Sequence, residues 1–112
     1  LDAEHKACVQ LLETGATEWR PPTPRPLDAM VADFEASWKR MEADVAKFDD
    51  ANWTKMGKFS SGGKAYPDQA VGQFLWYVLF DAIHHRGQLT AYIRPMGGKV
   101  PGVYGPSADS KR

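Results

Sequence analysis

The sequence predicts an all-α protein built from amphipathic bundle helices. Three segments, 1–14, 27–48 and 69–94, carry apolar residues at the three- and four-residue spacing of a helix face. The segments between them, 16–26 and 49–68, are rich in proline, glycine and other turn-forming residues, which favours irregular connectors. The chain therefore has three long helical segments and two irregular ones.

The composition narrows the class of protein. The 112 residues suit one domain, and we expect a single helical domain over residues 1–112. Lys+Arg and Asp+Glu both number 14, so the net charge is zero, which argues against nucleic acid as a partner. One cysteine excludes an intrachain disulfide and fits a reducing compartment, so we expect a cytoplasmic protein. No apolar run is long enough to span a membrane.

The first helix, residues 1–14, ends at Gly15. One of its faces carries Leu1, His5, Cys8 and Leu12. The sequence opens inside this helical pattern, without a methionine or a capping residue. We therefore expect that the domain is incomplete at its N-terminus.

The second helix, residues 27–48, has the clearest periodicity, and its apolar stripe is expected to lie in the core. This stripe contains Leu27, Met30, Val31, Phe34, Trp38, Met41, Val45 and Phe48. In the connector that follows, the flanks TKMGKF and KAY surround the turn SSGG at 60–63 and could pair as a hairpin. Asp68 is the expected N-cap of the last helix.

The last helix, residues 69–94, contains the run FLWYVLF at 74–80, which is apolar on every face. Such a helix is buried on most sides or packs against a partner chain. Pro95 ends the helix, and residues 97–112 are expected to form a loop and tail.

Polar residues line one face of this last helix beyond the apolar run. Asp81 and His85 are four residues apart, so their side chains point the same way and can meet one ion, and Gln88 continues that face. An ionised carboxylate on an otherwise apolar face needs a partner. That partner is a metal ion, Arg86 or Arg94, or a proton on a histidine.

A catalytic metal needs a third protein ligand, and His5 on the inward stripe of the first helix is the candidate. His5, Asp81 and His85 would form a two-histidine, one-carboxylate set that suits Zn, Ni, Fe(II) or Mn. Cys8 is a softer alternative ligand. The side chain of His84 points about 100° away from that of His85 around the helix, so the two histidines cannot easily bind one ion. The competing interpretation is a hydrogen-bonded core pair, with His5 exposed and Cys8 a small buried apolar residue.

The string DAIHHRGQLTAYIR at 81–94 and the tail GGKVPGVYGPSAD resemble the last helix and C-terminus of the DinB/YfiT-like superfamily of metalloenzymes. The resemblance implies an up-down four-helix bundle, often dimeric, whose first helix precedes Leu1. It also implies three histidine ligands, one from the second helix and an H-x-x-x-H pair on the last. His85 matches the second histidine of that pair, whereas Asp81 replaces the first. The second-helix ligand would lie upstream of Leu1, with His5 as a substitute.

By the same resemblance, the expected function is that of a metal-dependent thiol S-transferase or hydrolase in stress response or detoxification. Asp81 and His85 would hold the ion and Gln88 would orient a ligand. A low-molecular-weight thiol would be the cosubstrate of a small-molecule substrate, and the expected assembly is a homodimer. The alternative is a non-catalytic dimeric bundle that has lost its metal site, because aspartate replaces a histidine at position 81. A partner-binding module built on the apolar run at 74–80 is a third hypothesis.

Overall fold

The computed structural model describes residues 2–110 and shows four helices and four short strands within that range. The helices are α1 (Asp2–Thr14), α2 (Leu27–Val45), α3 (Asp50–Thr54) and α4 (Val71–Ile93). The strands are β1 (Ala16–Trp19), β2 (Met56–Ser61), β3 (Lys64–Ala65) and β4 (Gln69–Ala70). All three predicted long helices are therefore confirmed across the described residues, with ends shifted by up to a turn.

The prediction of an all-α four-helix bundle is wrong, because the connectors form a mixed sheet. β2 lies at its centre, pairing in parallel with β1 and antiparallel with β3 and β4. The strands have two to six residues, too short for the alternation that identifies a strand in sequence. The parallel pair joins Ala16–Trp19 to Lys58–Ser61, and a pairing over that sequence separation leaves no local signal.

Two glycine features direct the chain into this sheet. Gly15 has a φ of 76°, a left-handed conformation that ends α1 and lets β1 begin at the next residue. Gly62 and Gly63 have φ values of 57° and 77° and form the turn between β2 and β3. The hairpin predicted around SSGG is thereby confirmed. Asp68, the expected N-cap of the last helix, precedes β4 instead.

The chain divides into two compact units, Leu1–Leu79 and Phe80–Arg112. In the first unit, α1 and the start of α4 supply the core. Its buried apolar residues are Ala7, Cys8, Leu11, Val71, Phe74 and Val78. Partly buried side chains from α2 and the sheet, including Met41 and Phe59, pack against this cluster. The predicted single domain over 1–112 stays a prediction.

The apolar stripe of α2 is more exposed than its periodicity predicts. Ser37 is the one residue of α2 classed as buried, and it faces α1. Leu27 and Trp38, predicted to lie in the core, are 71% and 47% exposed. Only part of the stripe finds a partner among the described residues, because α1 covers the side of α2 centred on Ser37. No helix in the described range is long and apolar enough to cross a membrane.

In the second unit, the C-terminal segment folds onto the end of α4. The Arg94 Nε donates to Asp109 Oδ2 at 2.8 Å, and the Val100 backbone N–H donates to the same oxygen at 3.0 Å. The guanidinium of Arg86 lies 4.8 Å from the centre of the Tyr104 ring and donates to its hydroxyl. The predicted loop and tail at 97–112 is thus held by specific contacts over its described residues.

Candidate metal-binding face

The predicted polar face of the last helix is present on α4. Asp81, His85 and Gln88 follow one another along a single face, as the spacing of four and then three residues predicts. His85 Nε2 lies 3.3 Å from Asp81 Oδ2, and His85 Nδ1 lies 2.9 Å from Gln88 Oε1. The imidazole ring is therefore held from both sides by residues of its own helix.

This face is partly exposed to water. The side chain of Asp81 is 29% exposed and that of His85 is 41% exposed. A ligand-bearing face that keeps contact with water can bind an ion and still leave positions for a substrate. Both side chains are therefore partly exposed.

The arginines that could have neutralised Asp81 make other contacts. Arg86 reaches Tyr104 and Arg94 reaches Asp109, both in the C-terminal segment. Asp81 Oδ2 lies 3.3 Å from His85 Nε2, a contact that is an ion pair only when the imidazole is protonated.

His84 takes a different direction from His85. It is exposed, and its ring meets that of His85 edge-on at 5.4 Å between centroids. The two imidazoles therefore do not point at a common site, as expected for neighbours on a helix.

His5 is built into the packing between α1 and α2. It is 3% exposed, its Nδ1 lies 3.2 Å from Ser37 Oγ, and its ring packs 5.0 Å from Phe34 and 5.5 Å from Trp38. Burial lowers its pKa, while the nearby Asp2 carboxylate partly offsets this. The imidazole is thereby favoured in its neutral form.

Cys8 is fully buried in the core of the first unit. Burial, assisted by the negative charge of Glu4 one turn earlier, raises the pKa of the thiol to about 12. A metal binds the thiolate rather than the thiol, so Cys8 is a poor ligand. Its alternative interpretation as a small buried apolar residue is the one its surroundings support.

Glu4 is the α1 residue that the sequence analysis passed over. It is half-buried and lies one turn before Cys8, on the side of α1 that carries Cys8 and Leu11. A carboxylate on the inward side of a helix is the signal that could have identified it.

The comparison with family models decides the family of this chain. The model of the DinB family matches residues 13–111. The chain belongs to the DinB family. The suspected resemblance at 81–94 and in the tail is therefore confirmed, and the DinB match extends to α2 and the sheet as well.

Among curated proteins, the DinB chain matches the uncharacterized protein YrdA of Bacillus subtilis (strain 168). The two are 42% identical over 38 residues, which cover 34% of this chain and 23% of YrdA. The matched part thus spans about a quarter of that relative's length. No solved structure matches the chain.

Proposed function

We propose that this DinB-family protein binds a divalent metal ion through Asp81 and His85 of α4. The observation that carries the proposal is the 3.3 Å approach of His85 Nε2 to Asp81 Oδ2. Two ligand atoms from successive turns of one helix are thereby aimed at one point, where a cation stabilises both.

The chemistry of the donors supports a hard or borderline ion. One imidazole nitrogen and one carboxylate suit Zn, Fe(II) or Mn, and Ni is compatible with the imidazole. Replacement of a family histidine by Asp81 therefore changes the donor set without removing a ligand.

We leave His5 out of the proposed ligand set. Its ring is enclosed by α2, with Nδ1 directed at Ser37. Substitution of His5 tests this choice.

We propose a metal-dependent thiol S-transferase or hydrolase acting on a small molecule, with a low-molecular-weight thiol as cosubstrate of the transferase. When bound, a divalent ion lowers the pKa of a coordinated water or thiol and so supplies a nucleophile near neutral pH. Asp81 and His85 hold their positions from the rigid backbone of α4, and their partial exposure admits the substrate. A cytoplasmic homodimer without a nucleic-acid or membrane partner is the setting we expect.

Metal titration of the chelator-treated protein tests the binding proposal. We expect about one equivalent of Zn or Mn per chain by calorimetry, confirmed by elemental analysis. Asp81→Asn and His85→Gln should each weaken binding by about 10-fold or more, whereas His84→Gln, the matched neighbour, should bind as the wild type. Loss of binding in His5→Gln would add His5 to the ligand set.

Turnover assays test the catalytic proposal. Metal-loaded protein should consume a low-molecular-weight thiol in the presence of an electrophilic acceptor, or hydrolyse a small amide or ester, and His85→Gln should lose that activity. Protein that binds no metal, with His85→Gln altering only stability, would support the non-catalytic alternative. In that case a protonated His85 would pair with Asp81 and no ion would be needed.

A further inference from the structure

An open cleft of about 630 Å³ lies on the sheet of the first unit, beside the end of α1. We propose that this cleft binds a small zwitterion of the amino-acid class, with Lys58 and Gln10 holding its carboxylate and Asp68 holding its ammonium group. Every residue that lines the cleft belongs to the first unit. The proposal is therefore independent of the metal-binding proposal for α4.

The floor of the cleft is made of short side chains. Ala16 of β1 pairs with Lys58 of β2, and Ser60 of β2 pairs with Ala65 of β3. Paired residues of neighbouring strands share one face of a sheet, and so do residues two apart on one strand. Ala16, Ser60 and Ala65 therefore lie together on that face, and their small size leaves room for a ligand between the longer side chains at the rim.

The side-chain amide of Gln10 is held in one orientation at the α1 side of the cleft. Thr17 Oγ1 donates to Gln10 Oε1 at 2.9 Å, and the Glu18 backbone nitrogen lies 3.4 Å from the same oxygen. A backbone N–H can only donate, so the atom that faces it is the carbonyl oxygen and the NH₂ group points away. No hydrogen bond joins this NH₂ group to another described residue. Gln10 thus keeps two N–H donors for a ligand.

Lys58 and Asp68 bring opposite charges to the rim of the cleft. Both side chains are exposed, and neither forms an ion pair or a side-chain hydrogen bond with another described residue. The other acid of the lining, Glu18, is already paired with Arg20 at 2.5 Å. Among the described lining residues, one cation and one carboxylate are therefore left to recognise a ligand.

A zwitterion satisfies both of these groups at once. Its carboxylate accepts charge-assisted hydrogen bonds from Lys58 and Gln10, and its ammonium group donates to Asp68. A ligand with a single charge gains one of these contacts and is repelled by the other charged residue. The Tyr66 ring, 5.5 Å from that of Phe59, offers an aromatic surface to an apolar part of the ligand.

Titration of the ¹⁵N-labelled protein with glycine and with L-phenylalanine tests the site by NMR. L-phenylalanine should give saturable shifts of the backbone amides of Gln10, Lys58 and Ser60. N-acetyl-L-phenylalanine lacks the ammonium group and phenethylamine lacks the carboxylate, so each should bind about 10-fold more weakly than L-phenylalanine.

Two substitutions assign the charges of the ligand to their partners. Lys58→Met should weaken the binding of L-phenylalanine by about 10-fold without weakening that of phenethylamine. Asp68→Asn should weaken L-phenylalanine by a similar factor without weakening N-acetyl-L-phenylalanine. Lys55→Met and Asp28→Asn, at exposed positions outside the cleft, should bind L-phenylalanine as the wild type does.

Three results would overturn the proposal. The first is the absence of saturable shifts with both glycine and L-phenylalanine. The second is equal binding of L-phenylalanine, N-acetyl-L-phenylalanine and phenethylamine by the wild type. The third is undiminished binding of L-phenylalanine by Lys58→Met and Asp68→Asn. None of these measurements involves Asp81 or His85, so the metal-binding proposal is judged by its own titrations.

Discussion

His5 and Ser37 join α1 to α2 through a buried hydrogen bond of 3.2 Å between Nδ1 and Oγ. The Ser37 hydroxyl donates its proton to the Phe34 carbonyl at 3.0 Å, so Oγ accepts from Nδ1–H of His5. The imidazole then packs against aromatic rings of α2 on its other sides. His5 is therefore a neutral structural residue of the helix interface.

The buried state of His5 predicts a loss of stability in mild acid. Burial lowers its pKa below the usual 6.5, so the unfolded chain binds a proton more readily than the folded one. Its contribution is complete above about pH 6.5 and is lost as the pH falls from there through the lowered pKa. Urea unfolding should show a lower free energy of unfolding at about pH 5.5 than at about pH 7.5.

Two variants check that this slope of the unfolding free energy against pH is caused by His5. His5→Gln should reduce the pH dependence between those two values, although it also weakens the protein. His84→Gln, at an exposed position, should keep the slope of the wild type. An unchanged slope in His5→Gln would contradict the assignment, since Asp2 and Asp109, with lowered carboxyl pKa values, respond only in stronger acid.

Two glycines of α4 should respond in opposite directions to alanine. A Cβ on Gly72 would lie 2.5 Å from Cδ2 of Trp53, within overlap distance of the indole, so Gly72→Ala should cost about 1–3 kcal/mol. A Cβ on Gly87 meets no described atom within 4 Å, so Gly87→Ala should stabilise the helix by about 0.5–1 kcal/mol. Denaturant unfolding measures both, and a Gly72→Ala protein as stable as the wild type would refute the close contact.

The thiol of Cys8 should be inert in the folded protein. Its pKa of about 12 and its complete burial leave almost no accessible thiolate at about pH 8. Reaction with an aromatic disulfide reagent should therefore be limited by unfolding and should accelerate sharply in urea. Ala36→Cys adds a thiol at an exposed position of α2 that should react at once, and equally fast labelling of Cys8 in native protein would contradict its burial.

Asp109 should hold the C-terminal segment on α4. Its carboxylate accepts from Arg94 Nε and from the Val100 backbone N–H, which lowers its pKa. Asp109→Asn weakens the pairing with Arg94, so proteolysis between residues 99 and 110 should be faster while the helical circular dichroism is unchanged. Asp28→Asn, at an exposed position of α2, is the control. Equal cleavage of Asp109→Asn and wild-type protein would show that the contact does not restrain the segment.

Local sequence patterns predict the helices, one hairpin and the polar face of α4. Helical periodicity is local, so α1, α2 and α4 could be placed to within a turn, and the same periodicity put Asp81, His85 and Gln88 on one side. The turn SSGG supplied the positive φ values that a tight hairpin needs, so β2 and β3 could be expected.

The sheet and the roles of the residues on α1 depend on long-range packing. β1 pairs with a strand about 40 residues later, and such a contact is fixed by the packing of the whole unit rather than by its own four residues. His5 and Glu4 are adjacent in sequence, and the position of α2 is what makes one of them a buried structural imidazole. Sequence periodicity places a residue on a helix face, but what that face meets depends on the elements that pack against it.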